Sequence, residues 1–175
     1  NIPDKTVYEN HLLQFTVSGS DPDAGDVLSY SATNLPSGAS FSPSTRTFSW
    51  TPNFDQAGIY FVTFTVSDDH GATDSQTVRI TVNNVNRCPT LDAIGSKSVR
   101  EGELLSFSVS GSDPDGETLA YSATGLPTGA SFDVASGLFS WTSDLSQAGV
   151  YNVRFTVTDG SCPASENVEI TVSDN

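Results

Sequence analysis

The chain has 175 residues, 36% of them hydrophobic, and a formal net charge of −14 from 7 basic and 21 acidic side chains. Nucleic acids and anionic membranes bind clustered Lys and Arg, so this acidity argues against both as partners. It is compatible with divalent cations and equally with a plain solvated acidic surface. No run approaches the roughly 20 apolar residues of a membrane helix, and no signal-peptide pattern opens the sequence, so we expect a fragment of a longer protein.

The chain contains two copies of one sequence repeat. The stretch Gly19–Asp23 reads Gly-Ser-Asp-Pro-Asp and returns as Gly111–Asp115. Three further segments return in the same order: Leu28–Phe41 as Leu119–Phe132, Phe48–Thr51 as Phe139–Thr142, and Gln56–Gly58 as Gln147–Gly149. The spacing between the copies drifts slightly along the chain, as one-residue loop deletions between strands of fixed length would produce. This repetition predicts two domains, each of the size of a small β-sandwich.

Apolar residues alternate with polar ones throughout the chain, and helical periodicity is missing. The alternating runs fall at matching places in the two copies: Leu13, Phe15 and Val17; Tyr60, Val62, Phe64 and Val66; Val78, Ile80 and Val82; then Leu105, Phe107 and Val109; Tyr151, Val153, Phe155 and Val157; Val168, Ile170 and Val172. Asp-Pro, Leu-Pro-Ser-Gly and Gln-Ala-Gly turns separate the runs. The pattern predicts an all-β protein of two tandem antiparallel sandwiches.

Each copy also carries a Phe-Ser-Trp segment. Phe48 and Trp50 are two residues apart on a predicted strand, as are Phe139 and Trp141, so both rings of each pair face one side. An aromatic platform for a sugar would have this spacing, but a pair of core residues explains it better. We therefore predict that both tryptophans are buried.

The predicted domains cover residues 1–85 and 86–175. The hinge Asn83–Arg87 is short and polar and is not a Gly/Ser tether, so we expect the two domains to lie close together. The first domain begins late, and we expect its start to be truncated. Lys5–Glu9 corresponds to Lys97–Glu101, so the second domain has a lead-in, Pro89–Ser96, that the first mostly lacks.

Together these motifs resemble a known family. Gly-Ser-Asp-Pro-Asp, Leu-Pro-Ser-Gly-Ala-Ser-Phe, Phe-Ser-Trp-Thr-Pro, Asp-Gln-Ala-Gly-Ile-Tyr and Thr-Val-Ser-Asp-Asp-His-Gly are similar to the putative immunoglobulin repeats of bacterial and archaeal surface proteins, which overlap with cadherin-like repeats. The resemblance implies two tandem Ig-like/cadherin-like antiparallel β-sandwiches in a long extracellular protein. It also implies an adhesive or spacer role, with calcium often bound between modules.

Strand polarity predicts where the acidic residues meet. Let the seven predicted strands of each domain be A to G in chain order, with each loop named by the two strands that it joins. When consecutive antiparallel strands form the sandwich, the BC and FG loops lie at the N-terminal pole, and the AB and EF loops lie at the other. Seven oxygen-bearing side chains then converge on the domain junction: Glu9 and Asp55 of the first domain, Asn84 and Asn86 of the linker, and Asp113, Asp115 and Asp159 of the second. Ca²⁺ takes six to eight oxygen ligands, so the sequence predicts a calcium site there.

The resemblance to cadherin-like repeats implies calcium at the same residues. Tyr8-Glu9-Asn10, Asp113-Pro114-Asp115 and Asp159-Gly160 match the family's acidic positions. The linker departs from the family's Asp-Val-Asn-Asp, because this chain has Asn84-Val85-Asn86-Arg87, which loses two negative charges and gains a positive one. That departure bears on the affinity and number of ions. The alternative that Asp-Pro-Asp only shapes a turn stays open.

An equivalent but weaker half-site is predicted at the opposite pole of the first domain. Its members are Asp21, Asp23, Asp68 and Asp69. A preceding module would be needed to complete it. At the far pole of the second domain, Glu101 is present but Ser146 stands where the first domain has Asp55, so that pole is less suited to a cation.

Both cysteines belong to the second domain. Cys88 opens its first strand and Cys162 lies in its FG loop, so strand polarity brings them to the same pole. We predict a disulfide, which fits an oxidising compartment. Two cysteines do not make a zinc site, and neither His11 nor His70 is spaced to help them. We expect both histidines to face solvent.

Catalytic signatures are missing from the sequence: there is no nucleophile elbow, Gly-rich phosphate loop or Cys/His pair. We predict a non-catalytic structural or adhesive module of a larger surface or secreted protein. Its partners would be neighbouring modules and either another surface protein or a polysaccharide. The alternative is a carbohydrate-binding module of a secreted polysaccharide-active protein, which needs exposed aromatic residues. Phe61 and Tyr8 are the candidates, but the second domain has Asn152 in place of Phe61.

Overall fold

In the computed structural model, which describes residues 1–23 and 25–175, the chain divides into two compact units, Asn1–Val85 and Asn86–Asn175. Strands, turns and irregular segments account for every described residue, and none lies in a helix. No described segment therefore forms a helix long and apolar enough to cross a membrane. Alternating aromatic or β-branched residues suit a pleated, half-buried surface, which is why the sequence forms strands. The predicted all-β class is confirmed.

Unit 1 is a sandwich of two sheets. Its strands are β1 (Lys5–Tyr8), β2 (Leu13–Thr16), β3 (Ser29–Thr33), β4 (Ser40–Ser42), β5 (Thr47–Trp50), β6 (Gly58–Ser67) and β7 (Thr73–Asn83). One sheet has the order β1-β7-β6-β3 and the other the order β2-β5-β4. The strand pairs are antiparallel except for β1, which runs parallel to β7 with Lys5 opposite Ile80. No hairpin joins β1 to β7, so no tight turn imposes antiparallel pairing on them.

Unit 2 repeats this arrangement and adds a short pair of strands. Its strands are β8 (Thr90–Leu91), β9 (Lys97–Arg100), β10 (Leu104–Ser108), β11 (Gly111–Ser112), β12 (Ala120–Thr124), β13 (Ser131–Asp133), β14 (Leu138–Thr142), β15 (Gly149–Thr158) and β16 (Pro163–Ser173). The sheets have the orders β12-β15-β16-β9 and β10-β14-β13, and β8 pairs with β11. In unit 2, β9 runs parallel to β16, as β1 does to β7 in unit 1.

Each unit has its own core between its sheets. The buried residues of unit 1 are Val7, Val17, Phe48, Trp50, Val62, Phe64, Val78, Ile80 and Val82. Those of unit 2 are Val109, Phe139, Trp141, Val153, Phe155, Val157, Val168, Ile170 and Val172. The predicted strand faces supply these cores, and the prediction that both tryptophans are buried is confirmed, since each is only 1% exposed.

The repeated turn motifs are tied to the core aromatic residues. The indole N–H of Trp50 donates to the carbonyl oxygen of Ser37 at 3.2 Å, and the Tyr60 hydroxyl donates to the carbonyl oxygen of Gln56 at 3.0 Å. The two rings pack edge to face with centroids 4.9 Å apart. Gly38 follows Ser37 with a φ of 83°, which favours glycine. In unit 2, Trp141 and Tyr151 make the equivalent bonds to Thr128 and Gln147. The Leu-Pro-Ser/Thr-Gly and Gln-Ala-Gly turns therefore recur because they satisfy polar groups of the core aromatic residues.

Candidate functional site

Two clusters of three carboxylates occupy equivalent loops of the two units. They consist of Asp21, Asp26 and Asp68 in unit 1, and of Asp113, Glu117 and Asp159 in unit 2. Within each cluster, one oxygen of every carboxylate lies within 4.8 Å of the others. In both units the first member opens the Asp-Pro-Asp turn, the second precedes the next strand, and the third follows the long strand β6 or β15. The fold thus builds the same acidic triad twice.

The turn around Asp113 leaves one of its carboxylate oxygens unpaired. Oδ1 of Asp113 accepts the backbone N–H of Asp115 at 2.7 Å and is 3.4 Å from the backbone nitrogen of Glu117. Oδ2 is buried and has no hydrogen-bond partner among the described residues. A buried carboxylate oxygen without a partner is costly, so this atom is suited to a cation.

Asp159 is held in its ionised form by hydrogen bonds. The side-chain amide of Asn86 donates to Oδ2 at 2.9 Å, and the backbone N–H groups of Ser161 and Cys162 donate to Oδ1 at 2.6 and 2.8 Å. These bonds, that of Asn86 first, hold the pKa of Asp159 below its usual value. The carboxylate is therefore charged and fixed in position.

Glu117 is the third member of the triad in unit 2, and its surroundings destabilise its ionised form. Desolvation, and then the negative charges of Asp113, Asp159 and Asp115, raise the pKa of Glu117 above its usual value. Three carboxylates at this spacing repel one another unless a cation neutralises them. Their hard oxygen atoms are the ligand type that Ca²⁺ prefers, so the residues present fit the predicted ion.

Asp115 lies outside the triad because Arg87 binds it. The backbone N–H of Arg87 donates to Oδ2 of Asp115 at 2.6 Å, and its Nε donates to Oδ1 at 2.7 Å. The Asp115 side chain is only 5% exposed. Arg87, through its backbone N–H first, holds the pKa of Asp115 below its usual value. This predicted calcium ligand is thus already engaged in a charge-assisted ion pair.

Glu9 carries a second unpaired carboxylate oxygen, at the C-terminal pole of unit 1. Its side chain is fully buried, and Oε2 accepts the backbone N–H of Val85 at 2.9 Å. Oε1 has no hydrogen-bond partner among the described residues. The neighbouring Asn10 has a φ of 57°, so a tight turn holds the glutamate in place. A buried glutamate with one oxygen free of hydrogen bonds is again suited to a cation.

The remaining predicted junction ligands differ in their surroundings. Asp55 and Asn84 of unit 1 are exposed, and the backbone N–H of Asp55 donates to Oδ1 of Asn53 at 2.9 Å within a turn. Asn86 is exposed in unit 2, and its side-chain amide donates a hydrogen bond to Asp159. Asp55 belongs to none of the three-residue metal-compatible groups among the described residues. The structure therefore groups Asp113 with Asp159 and adds Glu117.

The N-terminal cluster of unit 1 includes a histidine. Nδ1 of His70 lies 3.2 Å from Oδ2 of Asp26 and 3.4 Å from Oδ1 of Asp69. Oδ1 of Asp68 accepts the backbone N–H groups of Ala72 and His70, and these bonds, Ala72 first, hold the pKa of Asp68 below its usual value. The His70 side chain is solvent-exposed, as expected, but it also contacts two acids.

Asp23 of the predicted half-site stands apart from this cluster. It is exposed, and its backbone N–H donates to Oδ1 of Asp21 at 2.8 Å. Asp26 and Glu117, which sequence reasoning missed, carry a detectable signal. Each lies two residues before the leucine of the repeated segments Leu28–Phe41 and Leu119–Phe132, so aligning the copies on that leucine would have paired them.

The predicted disulfide is present in unit 2. Cys88 is bonded to Cys162, with Cα atoms 5.6 Å apart, and no free cysteine remains. The bond joins the start of the unit to the loop that carries Asp159, three residues before Cys162. It therefore fixes one wall of the acidic triad.

The candidate sugar-contacting aromatics, Phe61 and Tyr8, are 56% and 54% exposed. Phe61 lies opposite Arg79 and Tyr8 lies opposite Asn83 on the intervening strand β7. Four residues of β7, roughly 13 Å, therefore separate the two rings along the sheet. They share a face but are too far apart to stack on one sugar ring.

Comparisons with known proteins agree with this architecture. The sequence profile described as Putative Ig domain (He_PIG) matches residues 1–83 and 88–173. No curated protein sequence matches the chain significantly.

Among solved structures, the chain is similar to mouse cadherin-23 EC22-24, with a TM-score of 0.64 and 22% identity over 100% of this chain and 64% of that one. It is also similar to human protocadherin-24 EC1-2, with a TM-score of 0.58 and 18% identity over 98% of this chain and 94% of that one. The chain thus spans just under two thirds of the cadherin-23 fragment. Both likenesses concern the fold, and they confirm its Ig-like/cadherin-like class.

Proposed function

Since the chain belongs to the Putative Ig domain family, which it matches twice in tandem, we propose that it is a structural or adhesive module of a larger surface or secreted protein. It is non-catalytic and extracellular, and it binds Ca²⁺ at the junction of its two units. Its nearest partners are neighbouring modules of the same protein. The disulfide between Cys88 and Cys162 supports an oxidising, extracellular location.

The observation that carries the calcium proposal is the unpaired Oδ2 atom of Asp113. It is buried beside Glu117 and Asp159, and the described residues offer it no hydrogen-bond donor. A Ca²⁺ ion would supply its missing partner and neutralise the carboxylate charges that, after desolvation, raise the pKa of Glu117. In this proposal Asp113, Glu117 and Asp159 are the principal ligands, and Asp115 joins only if Arg87 releases it.

The junction part of the proposal depends on Glu9. Its Oε1 atom is likewise buried, with no hydrogen-bond partner in the part of the chain that the structure describes, while its Oε2 atom accepts the backbone N–H of Val85, the last residue of unit 1. Glu101 is the equivalent glutamate of unit 2, where Oε1 accepts the backbone N–H of Ala148 at 2.6 Å. In this proposal Glu9 is a calcium ligand and Glu101 is not. The two glutamates therefore form a matched pair for mutation.

Calcium titration followed by thermal melting tests the proposal. A ligand that binds only the folded state stabilises it by about 2.7 kcal/mol at a hundredfold excess over Kd. We therefore expect millimolar Ca²⁺ to raise the melting temperature and Asp113→Asn to abolish the rise. The exposed strand residue Glu169 provides the charge-matched control, because Glu169→Gln should keep the full response. A wild-type melt unchanged up to about 10 mM Ca²⁺ would leave the acids as turn formers and the chain as a plain spacer.

The same titration separates a shared ion from one confined to unit 2. Glu9→Gln should weaken the calcium response, whereas Glu101→Gln should not. If both variants respond as the wild type does, the ion is held by unit 2 alone. Small-angle scattering gives an independent readout, because an ion held by both units should narrow the range of inter-unit angles.

A further inference from the structure

Arg87 binds the Asp-Pro-Asp turn of unit 2 with both its backbone and its side chain. The backbone N–H donates to Oδ2 of Asp115 at 2.6 Å, whereas the side-chain atoms Nε and Nη2 both lie 2.7 Å from Oδ1. Nη2 also donates to the carbonyl oxygen of Pro114 at 2.8 Å. The guanidinium group therefore places a positive charge between a carboxylate oxygen and a carbonyl oxygen. Both are ligand types that bind Ca²⁺ in proteins.

The residues on either side of Arg87 fix its position. The side-chain amide of Asn86 donates to Oδ2 of Asp159 at 2.9 Å, and Cys88 is bonded to Cys162. Three consecutive residues thus contact the two loops that carry the acidic triad of unit 2, Arg87 one loop and its neighbours the other. Because the backbone is held on both sides, the guanidinium group stays at a high effective concentration beside the carboxylates.

Asp115 shares its electrostatic environment with the triad. The pKa of Glu117 is raised by desolvation first, then by the charges of Asp113 and Asp159, and then by that of Asp115. Asp115 nevertheless lies outside the group of carboxylates whose oxygens come within 4.8 Å of one another. The four carboxylates therefore act on one another as a triad with a separate fourth member.

The fourth carboxylate needs a cation of its own. The side chain of Asp115 is only 5% exposed, and a buried carboxylate without a counter-charge is costly. An ion held by Asp113, Glu117 and Asp159 would neutralise the triad, but it would leave this carboxylate without a direct partner. Arg87 supplies the missing counter-charge from within the chain.

We propose that Arg87 is a built-in cation that fills a second cation position in the acidic site of unit 2, between Asp115 and the carbonyl group of Pro114. The site therefore takes up one divalent ion rather than two. This inference rests on the calcium-binding function proposed above and assigns a cause to the number of ions. Asp115 stays neutralised at every calcium concentration, so only the triad responds to calcium.

Counting the ions bound to the full chain tests the role of Arg87. Arg87→Gln removes the guanidinium group but keeps the backbone N–H that binds Asp115, so the turn should retain its conformation. We expect equilibrium dialysis at up to about 10 mM Ca²⁺ to find one more ion per chain in this variant than in the wild type. Combining Arg87→Gln with Asp115→Asn should restore the wild-type number, because the additional ion then lacks its carboxylate.

A second arginine of unit 2 provides a charge-matched control. Arg154 is exposed on β15, and its Nη2 atom lies 3.2 Å from Oγ of Ser165. Five residues, roughly 16 Å of extended strand, separate it from Asp159. Arg154→Gln removes the same charge from the chain and should bind the wild-type number of ions. An additional ion in both arginine variants would overturn the proposal, because net charge would then be the cause.

The melting temperature of unit 2 gives a second readout, which does not depend on counting ions. In a calcium chelator, Arg87→Gln should melt about 4 °C or more below the wild type, because Asp115 loses its counter-charge. Saturating Ca²⁺ should remove most of this difference, because a divalent ion then takes the place of the guanidinium group. A difference that calcium leaves unchanged would show that Arg87 is merely structural and would overturn the proposal.

The calcium function and the role of Arg87 fail in different ways. If the wild type binds no calcium but Arg87→Gln binds an ion that requires Asp115, the calcium function is wrong for the native chain and the role of Arg87 is supported. If both proteins bind the same number of ions, one or more, only the role of Arg87 is wrong. If neither protein binds an ion, both proposals are wrong.

Discussion

Arg87 binds Asp115 through both of its carboxylate oxygens, at 2.6 Å from its backbone nitrogen and 2.7 Å from Nε. Two residues earlier, Asp113 has a buried oxygen with no partner among the described residues. Two acids of one Asp-Pro-Asp turn therefore have different roles. Asp115 fastens the start of unit 2 to this turn, and Asp113 remains available to a cation.

These roles predict different phenotypes for the two asparagine variants. Asp113→Asn should abolish the calcium-induced rise in melting temperature and should change the calcium-free melt little, because none of the described residues donates a hydrogen bond to Oδ2. Asp115→Asn should lower the calcium-free melting temperature of unit 2, because it removes the ion pair, and should keep most of the calcium response. Differential scanning calorimetry with and without calcium measures both effects. The reverse pattern would show that Asp115 is the principal ligand.

The depressed pKa values predict a pH dependence for the stability of unit 2. Arg87 lowers the pKa of Asp115, and Asn86 with nearby backbone N–H groups lowers the pKa of Asp159. A carboxylate with a depressed folded-state pKa stabilises the protein above its unfolded pKa, near 3.9, and loses that contribution as the pH falls through the folded value. The stability of unit 2 should therefore decline below about pH 4.

Acid titrations of the free energy of unfolding test this dependence with a matched pair of variants. Asp115→Asn should flatten the decline. Asp23→Asn, at the equivalent position of unit 1, should not, because no arginine contacts Asp23 in the described structure. If both variants behave alike, the Arg87 ion pair is not the cause.

Burial of the tryptophans predicts a large cost of truncation. Trp50→Ala and Trp141→Ala should each lower the free energy of unfolding of their own unit by about 3–5 kcal/mol, through lost burial and a cavity. Phe61→Ala removes an exposed ring instead and should cost within about 0.5 kcal/mol. Urea unfolding monitored by circular dichroism measures these differences, and the fluorescence of the remaining tryptophan, which lies in the other unit, is the internal reference. A cost under about 1 kcal/mol for either tryptophan would contradict its burial.

Reduction of the disulfide should destabilise only unit 2. The bond spans a sequence separation of 74 residues, and closing a loop of that length in the unfolded chain is worth about 4 kcal/mol. Cys88→Ser with Cys162→Ser should lower the melting temperature of unit 2 and leave that of unit 1 unchanged. Thiol labelling of the unfolded, unreduced wild type gives the control, since two reactive thiols would show that the bond had never formed.

Much of the fold follows from local sequence. Period-two alternation placed the core residues of strands such as β6 and β15, and the repeat located the turns that bind Trp50 and Trp141. The parallel pairing of β1 with β7 did not follow, because it joins strands at opposite ends of unit 1 and no turn motif encodes it. Fold class is thus readable from periodicity, whereas pairing between distant strands is not.

The acidic site was predictable only in part. Asp113 and Asp159 were identified because strand polarity decides at which pole a loop lies. Glu117 was missed because the loop after Asp-Pro-Asp differs in length between the copies, so its counterpart Asp26 lies at a shifted spacing. The ion pair between Arg87 and Asp115 depends on side-chain geometry, which neither strand polarity nor the sequence repeat specifies.

The disulfide also determines how unit 2 responds to mechanical tension. When the chain is pulled along its length, force passes through the bond between Cys88 and Cys162 and bypasses the residues it encloses. Unfolded unit 2 can then lengthen only through the short segments outside that loop, each residue contributing at most about 3.6 Å. Unit 1 has no such bond and can extend along its whole length. Under load, unit 1 would serve as the extensible element, and unit 2 would lengthen little even after its core had unfolded.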